Sequence, residues 1–181
     1  MRIVAGEWRG RSLHAPSGTA TRPTADRVRQ ALFDMLMHAP WAGPPVVANA
    51  LVLDVFAGTG ALGLEALSRG AARAVFVERA RPALAALRTN IEACRAGDRC
   101  EVLPIDALSL PAGERADMVF LDPPYGQDLV ARALARLRAV GRVGIGSLIV
   151  AETGRDDPAL DVAALAERAH GAARLTIWRE N

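Results

Sequence analysis

Asp54-Val55-Phe56-Ala57-Gly58-Thr59-Gly60-Ala61-Leu62-Gly63, directly behind Leu51-Val52-Leu53, is the stretch whose reading decides the fold. Leu51 to Phe56 is a nearly unbroken apolar run of the length of a strand buried on both faces. A helix is expected from Ala61 to Arg69. Gly58 and Gly60 let the backbone turn tightly and come close to a ligand, and the helix start offers free N–H groups. Gly58, Gly60 and Gly63 satisfy G-x-G-x-x-G. Glu78, twenty residues past Gly58 and at the end of the next strand, is placed to hold two ribose hydroxyls. This pattern predicts a nucleoside-cofactor site. By itself it does not separate a dinucleotide from S-adenosylmethionine. The acid in the first strand and the F-A-G-T-G turn lean toward the latter, whose amino-acid part needs counter-charge and not a pyrophosphate cradle.

Outward from this stretch the pattern is strand, turn, helix, repeated. Ala74 to Glu78 reads as a strand, and a helix with Pro82 in its first turn runs to about Arg95. Cys100 to Ile105, Met118 to Leu121 and Ser147 to Ala151 read as further strands, with a helix from Asp128 to Arg138 between the last two. The tail offers a helix over Ala163 to Arg168 and a strand over Arg174 to Trp178. Alternating βα units predict an α/β fold with a mostly parallel, doubly wound sheet. Upstream, Arg2–Ala5 and Arg11–His14 alternate around Gly6 and Gly10 and predict a short hairpin. Thr24 reads as the N-cap of a helix to about His38, with Val28, Leu32, Met35 and Leu36 on one face. Residues 39–45, with Pro40, Gly43, Pro44 and Pro45, read as a linker. The expected organisation is a basic arm over residues 1–23 and a catalytic α/β domain over residues 24–181.

A chain of 181 residues is about one domain. Its 51% hydrophobic and 23% charged residues are those of a globular protein and not of a disordered one. No apolar stretch reaches membrane-span length, and the charged opening MRIVAGEWRGRSL is no signal-peptide core, so a cytoplasmic protein without membrane partners is expected. Cys94 and Cys100 suggest no disulfide framework. His14, His38 and His170 are unclustered, so no metal is expected and no histidine lies near Asp122 along the chain. The net charge of +2 hides an asymmetry. Residues 1–30 carry six arginines against Glu7 and Asp26, while the remainder is mildly acidic. Arg9, Arg11, Arg22, Arg27 and Arg29 are therefore candidate contacts to an anionic partner. Arg27 and Arg29 cannot share one helical face, so one is expected to face phosphate and the other to pack elsewhere. Trp8 reads equally as a base-stacking residue or as hairpin packing.

A second motif, Val119-Phe120-Leu121-Asp122-Pro123-Pro124-Tyr125, ends a strand with an acid, two prolines and an aromatic. An exocyclic base amine is a poor nucleophile because its lone pair is delocalised into the ring. Acceptors beside its hydrogens favour the pyramidal geometry it needs for attack. Asp122 supplies a carboxylate, Pro123 a carbonyl whose direction the Pro-Pro pair fixes, and Tyr125 a ring on which a flipped base can stack. Asp106, with Ala107 at the end of the third strand, reads as an acceptor for an adenine amino group or as a helix cap.

These blocks resemble the RsmD family of bacterial 16S ribosomal RNA (guanine-N2)-methyltransferases. The resemblance rests on R-I-V-A-G-E-W-R-G-R from Arg2, T-R-P-T-A-D-R-V-R-Q-A-L-F from Thr21, D-V-F-A-G-T-G-A-L-G-L-E-A-L-S-R-G from Asp54, and L-D-P-P-Y ending at Tyr125. It implies a class I S-adenosylmethionine-dependent methyltransferase, Rossmann-like, with a seven-stranded sheet whose last strand is antiparallel and an N-terminal hairpin extension. It also implies that Phe56, Ala57, Gly58 and Gly60 contact the methionine part, Glu78 the ribose, Asp106 the adenine, and Asp122 and Tyr125 the target base. Asp54, Thr59, Arg79, Ala107 and Asp122, the last shared with the base site, complete the expected cofactor set. The implied partner is 16S ribosomal RNA within the small subunit, approached by a monomer, with S-adenosylhomocysteine as product. The family accepts another aromatic at position 125, so the ring carries the expectation and not the hydroxyl.

Other readings are weighed against this one. A nicotinamide-dependent oxidoreductase shares the glycine loop, yet it calls for a lysine or histidine beyond the switch point and the chain has no lysine. An amino-methyltransferase acting on adenine or cytosine, in RNA or DNA, shares D-P-P-Y; a sequence-selective DNA enzyme further needs a target-reading domain. A non-enzymatic RNA-binding domain would not need Asp122-Pro123-Pro124-Tyr125.

Overall fold

A computed structural model of the chain describes residues 1–16, 23–42 and 46–181, with the side chains of residues 23–25 left aside. After a short N-terminal arm comes α1 (Pro23–His38), then β1 (Leu51–Val55), α2 (Ala61–Ser68), β2 (Arg73–Val77), α3 (Arg81–Ala93), β3 (Cys100–Leu103) and β4 (Met118–Leu121). The chain continues through α4 (Leu129–Ala139), β5 (Leu148–Gly154), β6 (Ala164–His170) and β7 (Ala173–Arg179). One seven-stranded sheet has the order β3-β2-β1-β4-β5-β7-β6. Strands β1 to β5 are parallel, and β7 runs antiparallel to both neighbours.

The central strands are apolar throughout because each face of the sheet is covered. Successive residues point to opposite sides, so Val52, Phe76, Met118, Phe120 and Val150 pack under the arm and α1 to α3. Leu53, Val55, Val75, Val119, Leu121 and Ile149 pack under α4 on the other side. The strand order reverses between β1 and β4, which opens a crevice at their carboxyl ends. The two sequence motifs meet there: Val55 pairs with Leu121, so Phe56 and Asp122 each stand one residue past paired strand ends.

The arm is a minimal hairpin. Its one bridge joins Arg2 to Ser12, with Ile3 N donating to Arg11 O at 2.9 Å and Leu13 N to Met1 O at 2.9 Å. What holds it is side-chain chemistry from α2. The carboxylate of Glu65, fully enclosed, accepts from Val4 N (2.8 Å), Ala5 N (3.0 Å), Arg69 Nε (2.8 Å) and Arg29 Nε (3.4 Å). Ser68 Oγ donates to Ala5 O and accepts from Trp8 N, while Ser68 O accepts from Glu7 N. Gly6, at φ 82°, lies so close that a Cβ there would sit 1.8 Å from Ser68 O. Ile3, Trp8 and Leu13 join the same apolar cluster as Leu32, Phe33 and Leu36 of α1.

Three expectations change. The helix expected over Ala163–Arg168 is instead strand β6, paired along β7 through a turn at Gly171 (φ 58°). Tertiary pairing overrides the helical preference of an alanine-rich stretch. β5 runs on to Gly154, three residues past the expected end. Trp8 is buried, with the Arg99 guanidinium 4.8 Å above its ring, so it packs the arm and offers no face for stacking a base. Thr24 as an N-cap, and Gly43, Pro44 and Pro45 of the linker, lie outside the described side chains and residues.

Glu65→Ala should leave two arm amides unmet and the buried Arg29 and Arg69 charges each short of a partner. Removing one partner of a buried ion pair costs about 3–5 kcal/mol. Urea unfolding of the variant should show that loss, and limited proteolysis should cut within residues 1–16 first.

Candidate active site

The turn after β1 is built on left-handed backbone. Phe56, Gly58 and Gly60 have φ of 64°, 55° and 78°. A Cβ at Gly60 would meet Leu87 Cδ1 at 2.4 Å, and one at Gly63 would meet Phe76 Cε1 at 2.4 Å, so these glycines let α2 and α3 close on the sheet. Gly58 differs: nothing in the protein lies nearer its Cβ position than Phe56 O at 4.0 Å, and its open side faces the crevice. Gly58 N donates to Glu78 Oε2 at 2.8 Å, while Glu78 Oε1 accepts from Arg79 N and Ala80 N at 2.8 and 2.7 Å. Three amides thus aim the Glu78 carboxylate. Asn90, enclosed in α3, donates to Thr59 O (2.9 Å) and to His14 O (3.0 Å) and accepts from His14 N (2.7 Å). One side chain therefore ties the glycine loop to the arm.

Acids converge on the crevice. Asp54 is 2% exposed, accepts from Gly63 N at 2.9 Å, and is pushed up to about 8. Loss of hydration is the main cause, the Gly63 amide works against it, and the charges of Asp122 and Glu78 add to it. Asp122 lies open to the crevice at its surface but is crowded by its walls, which raise its carboxyl; Glu152 on β5 raises it further. Asp106 caps the single turn Ala107–Ser109 by accepting from Leu108 N at 2.8 Å, and it also pairs with Arg79. Both halves of its sequence reading, cap and crevice acid, are compatible with this placement. Tyr125 is 44% exposed, and its hydroxyl donates to Glu152.

Two clefts share Phe56, Asp122 and Tyr125 as their common wall. The first, of about 730 Å³, is lined by Glu78, Arg79, Ile105, Asp106, Ala107 and Pro123 among others. The second, of about 650 Å³, is lined by Asp54, Ala57, Gly58, Thr59, Leu121 and Glu152 among others. Every candidate cofactor and base residue named from the sequence thus borders one cleft or the other, except Gly60, which sits beneath the loop. The arm arginines divide. Arg9, Arg11 and Arg27 are exposed, with Arg11 donating to Ala93 O; Arg22 lies outside the described residues. Arg29 corrects its reading as an RNA contact. It is 5% exposed and held by Asp26, Glu65 and Arg2 O, so of the Arg27/Arg29 pair it is the one that packs inward, at the wall of the second cleft. His170, distant from Asp122 along the chain, lines the second cleft. Glu152 and Asn90 lie in none of the quoted motifs, and Glu65, though inside the block from Asp54, is given no role by the sequence reading.

The family model described as Conserved hypothetical protein 95 matches residues 1–179. The ribosomal RNA small subunit methyltransferase D of Escherichia coli (strain K12) is 40% identical over 155 residues, covering 84% of this chain and 74% of its own. The protein of the same name from Haemophilus influenzae is 36% identical over 163 residues, with 87% and 81% covered. Among solved structures, the Escherichia coli protein yhhF superposes with a TM-score of 0.85 at 36% identity, covering 99% of this chain and 98% of its own.

The burial of Asp54 sets a pH dependence. Its carboxyl is raised in the folded state, so the stability it contributes is full below about 3.8 and is lost as pH rises through about 8. Asp54→Asn keeps an oxygen for Gly63 N and removes the titration. In urea unfolding between pH 5 and 8, the variant should gain on the wild type at up to about 1.4 kcal/mol per pH unit.

Proposed function

Because this chain belongs to the RsmD family of ribosomal RNA small subunit methyltransferases, we propose that it transfers a methyl group from S-adenosylmethionine to the exocyclic N2 amine of a guanine in 16S ribosomal RNA. The observation that carries this reading is the meeting of the glycine loop and Asp122-Pro123-Pro124-Tyr125 at the ends of two paired strands.

The residues present fit the cofactor. Asp54, Glu78 and Asp122 border the crevice with no arginine paired to them among the described residues, and a cationic ligand there would draw the raised carboxyls of Asp54 and Asp122 back toward their charged forms. The open side of Gly58 admits close approach by a ligand. Glu78, aimed by three amides, would hold the ribose hydroxyls; Asp106 and Ala107 would border the adenine; Asp54, Phe56, Ala57 and Thr59 would border the methionine part, with Arg79 at the mouth. Bound there, S-adenosylmethionine supplies an electrophilic methyl.

The chain's own residues do the rest. Asp122 and the carbonyl of Pro123 accept the hydrogens of the target amine and turn its lone pair out of the ring plane. The exposed face of Tyr125 stacks the extruded base, which offsets part of the few kcal/mol that unstacking costs. The alkylated nitrogen sheds a proton to water or to Asp122, whose raised carboxyl can hold one. Arg9, Arg11 and Arg27 on the arm and α1 dock the RNA backbone and position the base.

Labelled methyl transfer to small-subunit ribosomal RNA, with mass spectrometry of the digested nucleosides, should yield N2-methylguanosine. Asp122→Ala should slow transfer about 10²–10³-fold. Tyr125→Phe should be far milder than Tyr125→Ala. A product on adenine or cytosine would overturn the guanine assignment.

The docking role has its own measurement. Replacing Arg9 and Arg27 with Ala should lower the slope of log K against log salt for RNA binding by about 1.4, at roughly 0.7 per phosphate contact. Affinity for S-adenosylmethionine should stay unchanged. An unaltered slope would remove these residues from the interface.

A further inference from the structure

Beside Asp122 the second cleft holds a carboxylate, Glu152, that neither the glycine loop nor Asp-Pro-Pro-Tyr explains. Leu121 pairs with Ala151 across β4 and β5, so Asp122 and Glu152 are the next residues on neighbouring parallel strands. Both line the same cleft beside Tyr125. Two acids so placed repel one another when charged, which a neighbouring cation or hydrogen-bond donor would relieve. Among the described residues no arginine pairs with Glu152. Arg29, which also lines this cleft, is engaged by Asp26, Glu65 and Arg2 O. One oxygen of Glu152 accepts from the Tyr125 hydroxyl, and the other takes no hydrogen bond from a described residue. When ionised the two groups stand side by side as acceptors, one of them anchored to the ring on which a base would stack, and donors from a bound base would offset the repulsion between them.

We infer that Glu152 is the residue that selects guanine, accepting the ring N1–H while Asp122 accepts from the neighbouring N2 amine. This rests on the reading of the chain as a guanine N2 methyltransferase. The chemistry of the base edges supports it. Guanine offers two adjacent donors, N1–H and N2–H2, that match two adjacent carboxylates. Adenine and cytosine set an unprotonated ring nitrogen, itself an acceptor, beside their amine, so one carboxylate would face a lone pair. A site built to receive a donor rejects a base lacking it because the desolvated acceptor is left unmet. The Tyr125 hydroxyl holds Glu152 in register with the stacking face, which explains an ordered contact from an aromatic whose ring alone suffices for stacking.

The test compares guanosine with 2-aminopurine riboside, which keeps the N2 amine but has an unprotonated N1. Binding to the full chain saturated with S-adenosylhomocysteine is titrated by saturation-transfer NMR for wild type, E152Q and E152A. The wild type should prefer guanosine about tenfold or more, the scale of one well-placed base contact. E152Q, whose amide can donate to N1, should lose most of that preference. E152A should weaken guanosine without strengthening the analogue. Comparing variants isolates the N1 contact from the O6 that the analogue also lacks. A preference kept intact in E152Q, or no preference for guanosine in the wild type, non-binding included, would overturn the role of Glu152. Methyl transfer to ribosomal RNA separates this from the reading beneath it. If the wild type makes N2-methylguanosine while E152Q keeps its preference, only the inference falls. If the wild type methylates another base, the underlying reading falls with it.

Discussion

Glu65 is a carboxylate without access to water, and such a group is tolerable only when donors surround it. Here four donors come from three places: two amides of the arm, the Arg29 guanidinium of α1, and Arg69 one turn along from Glu65 at the end of α2. All four converge on one carboxylate, so the arm, α1 and α2 are fastened at a common point. Phe33 of α1 then reaches Phe120 of the sheet, with ring centroids 5.8 Å apart, and the Arg69 guanidinium lies 4.9 Å above the Phe33 ring. The arm is seated by this group far more than by its single backbone bridge. Because α2 also begins at the glycine loop, the group that holds the arm lies on the helix whose first turn forms the crevice.

The crevice follows the opposite logic. Asp54, Glu78, Asp122 and Glu152 border it, and most of their compensation comes from backbone amides and one hydroxyl, not from cations. Uncompensated acids weaken a fold, so their concentration at one sheet edge fits the cofactor and base roles proposed for them. Where arginines do meet acids among the described residues, as at Glu7, Glu65, Glu114, Glu167 and Glu180, the acid stands away from the crevice. Arg79 with Asp106 is the exception, at the mouth of the first cleft.

Much of this was legible along the chain, and the failures have common causes. Strands β1, β2 and β4 were readable because burial on both faces leaves continuous apolar runs between turn residues. The crevice was readable because the glycine loop and Asp122-Pro123-Pro124-Tyr125 are local signals whose chemistry does not depend on distant residues. β6 was misread because its exposed alanines and charges carry no strand period; only its pairing with β7 makes it a strand. β5 was cut short at Ala151 where the apolar run stops, which hid Glu152. Arg29 looked like its exposed neighbour Arg27, since the partner that turns it inward, Glu65, is 36 residues away. Asn90 bridges segments 31 and 76 residues distant, and no spacing rule reveals such a tie.

Gly6 has a consequence of another kind. The arm lies against α2 where a Cβ would stand 1.8 Å from Ser68 O. Its chain neighbours there are Ala5 and Glu7, both of which carry a Cβ. If the arm slid along α2 by one residue in either direction, one of them would be driven into that carbonyl. The missing side chain thus works as a keyway: a segment with one backbone bridge can be inserted in only one position. Charged and apolar side chains give the arm its adhesion, but its alignment is set by an atom that is not there.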